Sequence, residues 1–302
     1  RLTVDRDRWW NHVTGVAEEI DGLVPVVKGN GYGFGRATLA VAASRLSPII
    51  AVGTVHELDG LPDDVTAVVL TPTLRAPATT DPVLTVGNRR HIGALAGWRG
   101  RVIVKLESTM HRYGGAIDLV SEAQRMGLRT VGVALHLPLA GSEQDRLGYV
   151  ADRLPDIDPS LDVWLSHLSP GSYDVLPDSH RYKRRMGTHL WHGDREAINL
   201  EADVLDTRRA DAGSTAGYRL TPITRDGTIL MIGAGSAGGV APLADGASPF
   251  HFGRRRLELI EPPHMHTSMA LVPFGDPCPI VGEWVDVQRP LTMTAADEIR
   301  WI

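Results

Sequence analysis

Eight short apolar runs alternate with longer segments of mixed polarity between about residues 22 and 192. Runs this short and this apolar are typical of strands buried on both faces of a parallel sheet. The segments between them have helical length and spacing, for instance residues 38–46 and 116–128. Eight strand–helix units therefore predict an α/β fold, a (β/α)8 TIM-like barrel. The runs are LVPVV (23–27), PIIAVG (48–53), TAVVLT (66–71), VLTVG (83–87), RVIVKL (101–106), TVGVALHL (130–137), VWLSHL (163–168) and MGTHLW (186–191).

The pattern changes after about residue 197, where short strand-like runs are separated by turns rich in Gly, Pro and Asp. Such a pattern predicts a mostly β C-terminal domain without helices. We therefore expect a barrel domain over residues 10–196 and a β domain over residues 197–302, which residues 1–9 join. The strand-like runs of this second part are 200–209, 228–235, 255–260 and 283–288.

Charge and composition exclude several classes of protein. The net charge of −5 gives no general attraction to nucleic acid or to an anionic membrane surface. No apolar run reaches the length of a membrane span. The single cysteine, Cys278, rules out an internal disulfide framework and fits a reducing compartment. We expect a cytoplasmic globular protein that binds a small molecule.

Polar and titratable residues follow the predicted barrel strands. Function in such barrels gathers at the carboxyl ends of the strands. Any one of these residues is more simply explained as a solvated rim residue, but the pattern recurs on at least four of the eight strands and so predicts an active site. The residues are Lys28, Thr54, His56, Lys105, His136, His167, Ser169, Gly187 and Thr188.

Lys28 is the clearest candidate for chemistry. A lysine at a rigid strand end beside a desolvating core can have a lowered pKa and act as an amine nucleophile. Glycine occupies every second position from Gly29 to Gly35, which lets the backbone approach a bound ligand closely.

The segment VVKGNGYGFG (26–35) resembles the pyridoxal-phosphate lysine motif of the alanine racemase family, with Lys28, Asn30, Tyr32, Gly33 and Gly35 in matching places. Five further segments resemble motifs of that family in the same order along the chain, and the resemblance covers roughly residues 3 to 240. They are KLESTMHRYGG (105–115), VGVALHLPLA (131–140), WLSHLS (164–169), RRMGTHLWHG (184–193) and ADAGSTAGYR (210–219).

The resemblance implies an isomerase, a pyridoxal-5′-phosphate-dependent amino-acid racemase that moves a proton at Cα with two bases. Lys28 would hold the cofactor and act on one face of the substrate, and Tyr218 of the partner subunit of a homodimer would act on the other. His136 and Arg185 would form a chain with that tyrosine. The substrate would be a small neutral amino acid, with alanine or serine first.

The same resemblance implies which residues bind the cofactor. Arg185 would face its pyridine nitrogen, which leaves that nitrogen unprotonated and favours simple proton return over decarboxylation or transamination. Arg112 would contact the phenolic oxygen, with Lys105 orienting Arg112 and His167 supporting the site. The expected phosphate-binding residues are Tyr32, Ser169, Gly187 and Thr188.

Departures from the family pattern leave other functions open. Ala234 stands where the family has a tyrosine, and residues 261–269 do not match its carboxylate-binding segment. One alternative is a D-amino-acid dehydratase or aldolase of the same fold, which would need a metal. His264, His266 and Cys278 fit zinc ligation only loosely, so we expect no metal site. A protein that binds pyridoxal phosphate without catalysis is the remaining alternative.

Overall fold

The structure is a computed structural model that describes residues 1–302. The chain divides into two compact units, a barrel unit of Asn11–Gly193 and a β unit of Arg1–Trp10 with Asp194–Ile302. It opens with strand β1 (Leu2–Val4) and helix α1 (Arg6–Glu18). None of the helices has both the length and the apolar character needed to cross a bilayer.

Eight parallel strands form the barrel and confirm the predicted fold class. They pair in the order β2-β9-β8-β7-β6-β5-β4-β3, and a parallel bridge between Val26 and Ala51 joins the two ends of this order. They carry branched aliphatic side chains such as Ile50, Val68 and Ile103, all fully buried. The strands are β2 (Leu23–Pro25), β3 (Ile49–Val52), β4 (Thr66–Val69), β5 (Val83–Val86), β6 (Arg101–Lys105), β7 (Arg129–Ala134), β8 (Asp162–Ser166) and β9 (Tyr182–Met186).

The helical layer around the barrel is less complete than eight strand–helix units would give. The connections from β3 to β4, from β4 to β5 and from β8 to β9 contain no α-helix. Prolines such as Pro62, Pro77 and Pro170 interrupt these connections, and proline removes a backbone donor and clashes with the preceding helical turn. The other helices are α2 (Arg36–Ser44), α3 (Arg89–Ala94), α4 (Leu119–Arg125), α5 (Glu143–Arg153) and α6 (Thr188–His192).

The eighth strand was predicted in the wrong place. The apolar run 186–191 mostly forms α6, and the strand is the charged segment Tyr182–Met186 before it. The arginines of this strand find partners inside the barrel unit, because the Arg184 guanidinium lies 4.2 Å from the Tyr173 ring and Arg185 reaches Ser166. An aromatic ring and a hydroxyl group thus accommodate the arginines of this strand, whereas the hydrophobic pattern predicts a strand only from apolar residues.

The β unit consists mainly of one sheet, in the order β15-β14-β18-β10-β13-β17-β16, and this confirms the mostly β character predicted for the second part of the chain. β1 pairs antiparallel with β10 and parallel with β19. Val204, Leu230 and Phe250 are at the centre of its core. The strands are β10 (Ile198–Ala210), β11 (Thr215–Ala216), β12 (Thr221–Pro222), β13 (Gly227–Ile232), β14 (Phe250–Phe252), β15 (Arg255–Arg256), β16 (Glu258–Leu259), β17 (Ser268–Pro273), β18 (Trp284–Val287) and β19 (Ile299–Trp301).

Candidate active site

A cavity of about 490 Å³ lies at the carboxyl ends of the barrel strands. Its lining contains a lysine, an arginine and three histidines but no aspartate or glutamate. A cavity with this balance favours a ligand that carries negative charge. Eight residues predicted from the sequence line it together: Lys28, Tyr32, His136, His167, Ser169, Arg185, Gly187 and Thr188.

The glycine-rich segment after β2 turns the chain sharply beside Lys28. Gly31 has a φ of +64°, and a Cβ there would lie 2.5 Å from the backbone nitrogen of Arg36. Tyr32 has a φ of +55°, which is uncommon for a residue with a side chain. The Asn30 side chain accepts a hydrogen bond from the Gly33 N–H at 3.2 Å and closes the turn. The turn therefore brings Tyr32 back to the cavity that Lys28 lines.

The environment of Lys28 lowers the pKa of its amine. Burial has the largest effect, and the positive charges of Arg112 and Arg185 lower the pKa further, while Glu57 opposes them. The Glu57 carboxylate is fixed by the Gly53 N–H at 2.7 Å. A larger fraction of the amine is therefore unprotonated near neutral pH than for a free lysine, as a nucleophile or proton acceptor requires.

Tyr32 is held in one position by its neighbours. Its side chain is buried, and burial raises the pKa of the phenol to about 12, so it keeps its proton and can donate a hydrogen bond. His192 donates from Nε2 to the Tyr32 carbonyl at 2.7 Å. The hydroxyl lies directly against Gly187, where a Cβ would overlap the hydroxyl oxygen and lie 2.6 Å from the ring carbon Cζ. Only glycine fits at that position.

Ser166 connects His136 with Arg185. The Ser166 hydroxyl lies 2.7 Å from His136 Nδ1 and accepts a hydrogen bond from Arg185 Nη2 at 3.2 Å. Burial lowers the pKa of Arg185 to about 10, so the guanidinium is still charged at neutral pH. Its Nε–H is buried without a hydrogen-bond partner in the protein. A buried donor without an acceptor is costly, and a ligand atom that accepts would satisfy it.

Two histidines stand next to each other at the ends of β7 and β8. The ring centroids of His136 and His167 are 4.7 Å apart. Burial, followed by Arg185 and His167, lowers the pKa of His136 to about 3, so its ring is neutral at physiological pH. His167 donates from Nδ1 to the Leu137 carbonyl at 2.6 Å, which directs its other nitrogen to act as an acceptor.

Lys105 and Arg112 form a second basic group beside the cavity, organised around Tyr113. Lys105 is buried at the end of β6, with its Nζ 4.2 Å from the centre of the Tyr113 ring. Burial, with Arg112 and Arg185, lowers the pKa of Lys105 to about 8. Arg112 donates to the Tyr113 hydroxyl at 3.4 Å. Neither residue lines the cavity, but the Arg112 charge acts on Lys28.

The loop that carries Ser169 is fixed by Glu143 at the start of α5. The Ser169 N–H donates to Glu143 Oε1 at 2.7 Å, and the Ser172 hydroxyl donates to the same oxygen. Burial raises the pKa of Glu143, but hydrogen bonds from Ser172, Arg146 and Ser169 outweigh it and lower the pKa to about 2. Arg146 lies 2.6 Å from the carboxylate and offsets its charge. Glu143 therefore orders the loop beside the cavity.

If the Ser169 loop binds the phosphate of pyridoxal phosphate, as the sequence resemblance implies, replacing Glu143 by alanine is expected to weaken binding of that cofactor about tenfold. The Ser169 N–H and the Ser172 hydroxyl lose their shared acceptor, and one hydrogen bond to a charged group contributes about 1.5–3 kcal/mol. Titration of the protein with pyridoxal phosphate measures the effect, and Glu143→Gln, which keeps one acceptor oxygen, should lose less. Tighter binding in either variant would show that repulsion by the carboxylate outweighs the order that it gives the loop.

Sequence reasoning did not identify Ser166, Glu57, Tyr113 or Glu143. Ser166 is the last residue of β8, so its place at a strand end was an available signal. Its link to Arg185 depends on the register of β8 and β9, which places the two residues opposite each other. Glu143 is 26 residues from Ser169 along the chain, and no pattern in the sequence predicts that contact.

Tyr218 belongs to the β unit, so the lining of the barrel cavity does not include it. It follows the short strand β11, and its side chain is 86% exposed. No three His, Cys, Asp or Glu side chains are grouped closely enough to hold a metal ion.

Comparison with protein families gives a match to the alanine racemase N-terminal domain over residues 4–171, more than half of the chain. The chain belongs to the alanine racemase family. Its fold is similar to that of alanine racemase from Bartonella henselae with covalently bound pyridoxal phosphate, at 18% identity over 100% of this chain and 99% of that one, with a TM-score of 0.76. Comparison with curated proteins gives no match.

Two further solved structures of the family have the same fold. The biosynthetic alanine racemase from Pseudomonas aeruginosa is 19% identical over 100% of this chain and 98% of that one, with a TM-score of 0.73. Alanine racemase from Bacillus anthracis with bound L-Ala-P is 18% identical over 99% of this chain and 87% of that one, with a TM-score of 0.72.

Proposed function

We propose that this member of the alanine racemase family is a pyridoxal-phosphate-dependent racemase of a small neutral amino acid. The observation that carries the proposal is the cavity at the barrel mouth, where Lys28 with a lowered pKa and Arg185 with a buried Nε–H meet in a lining without carboxylates. An anionic cofactor with an aldehyde and an aromatic nitrogen matches those groups.

The residues present fit this cofactor. Lys28 Nζ would hold it covalently, and the unpartnered Nε–H of Arg185 would donate to its ring nitrogen. Tyr32, Ser169, Gly187 and Thr188 would bind its phosphate, and Arg112, oriented by Lys105 through Tyr113, would contact its phenolic oxygen. The cofactor, when bound, supplies the electron sink that makes the substrate Cα–H acidic.

Arg185 favours racemisation over other reactions of such cofactors. A guanidinium has only donors, so a ring nitrogen facing it accepts and carries no proton. An unprotonated ring withdraws less charge from Cα. Rapid return of a proton to Cα is then favoured over loss of the carboxylate.

Two groups would move the proton at Cα. The Lys28 amine would remove or return it on one face of the substrate, and its lowered pKa keeps more of the amine in the basic form. Tyr218 would act on the opposite face. We propose that a homodimer brings the partner's Tyr218 to the barrel site, and that neutral His136 and Arg185 form the chain that supports it.

Incubating the protein with L- and D-amino acids in deuterated water tests the proposal. We expect deuterium at Cα together with loss of optical purity for a small neutral amino acid, measured by mass spectrometry and chiral chromatography. Deuterium incorporation without inversion, or none for any amino acid, contradicts a racemase. Loss of a β-hydroxyl group or cleavage of the Cα–Cβ bond would instead indicate the dehydratase or the aldolase.

Replacing Tyr218 by phenylalanine is expected to stop inversion but not exchange. Lys28 can still remove and return the proton on its own face, while the other face loses a group that contributes about 10²–10⁴-fold. One enantiomer should therefore exchange with deuterium and keep its configuration, and its mirror image should become nearly inert. Tyr182→Phe is the control, because Tyr182 is outside the cavity lining and its hydroxyl donates to the Pro177 carbonyl. Unchanged racemisation by Tyr218→Phe would remove the tyrosine from the mechanism.

A further inference from the structure

The backbone turn at Tyr218 is built around a buried carboxylate. Glu261 is only 7% exposed, and its Oε1 and Oε2 accept hydrogen bonds from the N–H groups of Tyr218 at 2.9 Å and of Arg219 at 3.1 Å. Gly217 has a φ of +77°, and a Cβ there would overlap the carboxylate. The turn therefore lies directly on Glu261.

His264 completes this group. Its Nε2 forms a hydrogen bond to Glu261 Oε1, and its ring centroid lies 4.5 Å from that of Tyr218 with the planes tilted by 49°. The His264 backbone is fixed as well, because its N–H donates to the Thr267 carbonyl and its carbonyl accepts from the Ser236 N–H, both at 2.8 Å. The imidazole is thus a rigid surface against which the phenol rests.

The position of Tyr218 makes such a contact necessary. Its side chain is 86% exposed, so burial does little to restrict its rotation. Burial raises the pKa of Glu261, but hydrogen bonds from His264, Tyr218 and Arg219 outweigh it and lower the pKa, which keeps the carboxylate ionised. Glu261 holds the backbone of the tyrosine, and His264 holds its ring.

We propose that Glu261 and His264 form a clamp that positions the Tyr218 phenol for its role as the second base. The proposal rests on the proposed function. Glu261 and His264 are positioning residues that act through Tyr218. It also assigns a role to His264 other than metal binding, since its Nε2 is engaged by a carboxylate. A group misplaced by about 1 Å can cost about 100-fold in rate, so a fixed ring has catalytic value.

The clamp can be tested without any reaction. The protein contains six tyrosines, so fluorotyrosine labelling gives few fluorine NMR signals, and Tyr218→Phe identifies the one from Tyr218. We expect that signal to move toward the position of free fluorotyrosine in His264→Ala, because the ring above it is lost. It should stay in place in His266→Ala, which removes an exposed histidine from the same loop. A signal that does not move in His264→Ala overturns the clamp.

The catalytic purpose of the clamp is tested in the cofactor-loaded enzyme. His264→Ala should slow deuterium exchange by up to about 100-fold for the enantiomer whose Cα–H faces Tyr218, with exchange of the other enantiomer and the cofactor absorbance unchanged. His264→Phe keeps an aromatic ring and should recover most of this loss, and Glu261→Gln should show faster amide exchange at Tyr218 and Arg219. Exchange at Cα that slows equally for both enantiomers, or no recovery by His264→Phe, would overturn the positioning role.

The two proposals fail separately. A wild-type protein that does not exchange Cα–H overturns the proposed function, and with it the catalytic purpose of the clamp, while the NMR signal still decides whether the clamp exists. A racemase whose Tyr218 signal is indifferent to His264 overturns the clamp and leaves the function standing.

Discussion

Replacing Lys28 by alanine is expected to abolish covalent binding of pyridoxal phosphate and to lower racemisation by at least about 10⁴-fold. The variant loses the cofactor anchor and one of the two bases, and a single acid–base group alone contributes about 10²–10⁴-fold. The absorbance spectrum of the reconstituted protein measures the first effect, and deuterium exchange at Cα measures the second. The substitution leaves the positive charges of Arg112 and Arg185 in place, so some cofactor should still bind without a covalent bond.

The chain contains few lysines, so the site of cofactor attachment can be identified directly. Only three lysines are present: Lys28, Lys105 and Lys183. Borohydride reduction of the loaded protein, followed by peptide mapping, should find the label on Lys28 alone. Lys183→Ala is the matched control, because Lys183 is outside the cavity lining and should leave both spectrum and activity unchanged. A label on Lys105 or Lys183 would contradict the assignment.

The barrel could be predicted because its strands are buried on both faces. Residues such as Ile50, Val68 and Ile103 leave a clear apolar signal, with no polar alternation to confuse it. The prediction of the last strand failed for the opposite reason, since that strand carries the half-buried Arg184 and Arg185, whose partners are an aromatic ring and a serine. Periodicity measures the apolar character of a segment and carries no information on partners that fold back from elsewhere.

The sequence motifs predicted the residues that line the cavity, but they did not predict the hydrogen bonds that hold those residues in place. Lys28, Tyr32 and Arg185 line one cavity, as the order of motifs along the chain led us to expect, while the roles assigned to them are still predictions. The Ser166 bridge depends on strand register, and the contact of Glu143 with the Ser169 loop depends on how α5 packs. Both are tertiary facts that no local pattern contains.

The spacing of the two histidines in the β unit suggested a contact that the fold does not make. The spacing of His264 and His266 suggested a metal site only loosely, and spacing alone cannot show that His264 is engaged by Glu261 three residues before it. The neighbouring ring of Tyr218 is 46 residues away along the chain, and only the folded sheet brings the two rings together. A motif gives the residue types, whereas the fold decides which of them meet.

Replacing Gly187 by alanine is expected to weaken binding of pyridoxal phosphate by about 10- to 150-fold. The new methyl group would overlap the Tyr32 hydroxyl, and a small shift cannot relieve the overlap because Tyr32 is buried and its carbonyl is held by His192. The phenol must leave its position, and its expected hydrogen bond to the phosphate, about 1.5–3 kcal/mol for a charged partner, is lost. Titration followed by absorbance gives the dissociation constant. Gly171→Ala is the control, since a Cβ there meets nothing within 4 Å.

A double-mutant cycle decides whether Tyr32 is the cause. If Gly187→Ala acts by displacing the phenol, Tyr32→Ala alone should weaken binding by a similar factor, and adding Gly187→Ala to it should cost almost nothing, because no hydroxyl is left to displace. Contacting residues deviate from additivity in this way, whereas independent residues add within about 0.3–0.5 kcal/mol. Full additivity of the two substitutions would mean that the Gly187 backbone itself contacts the phosphate and that a Cβ blocks the ligand directly.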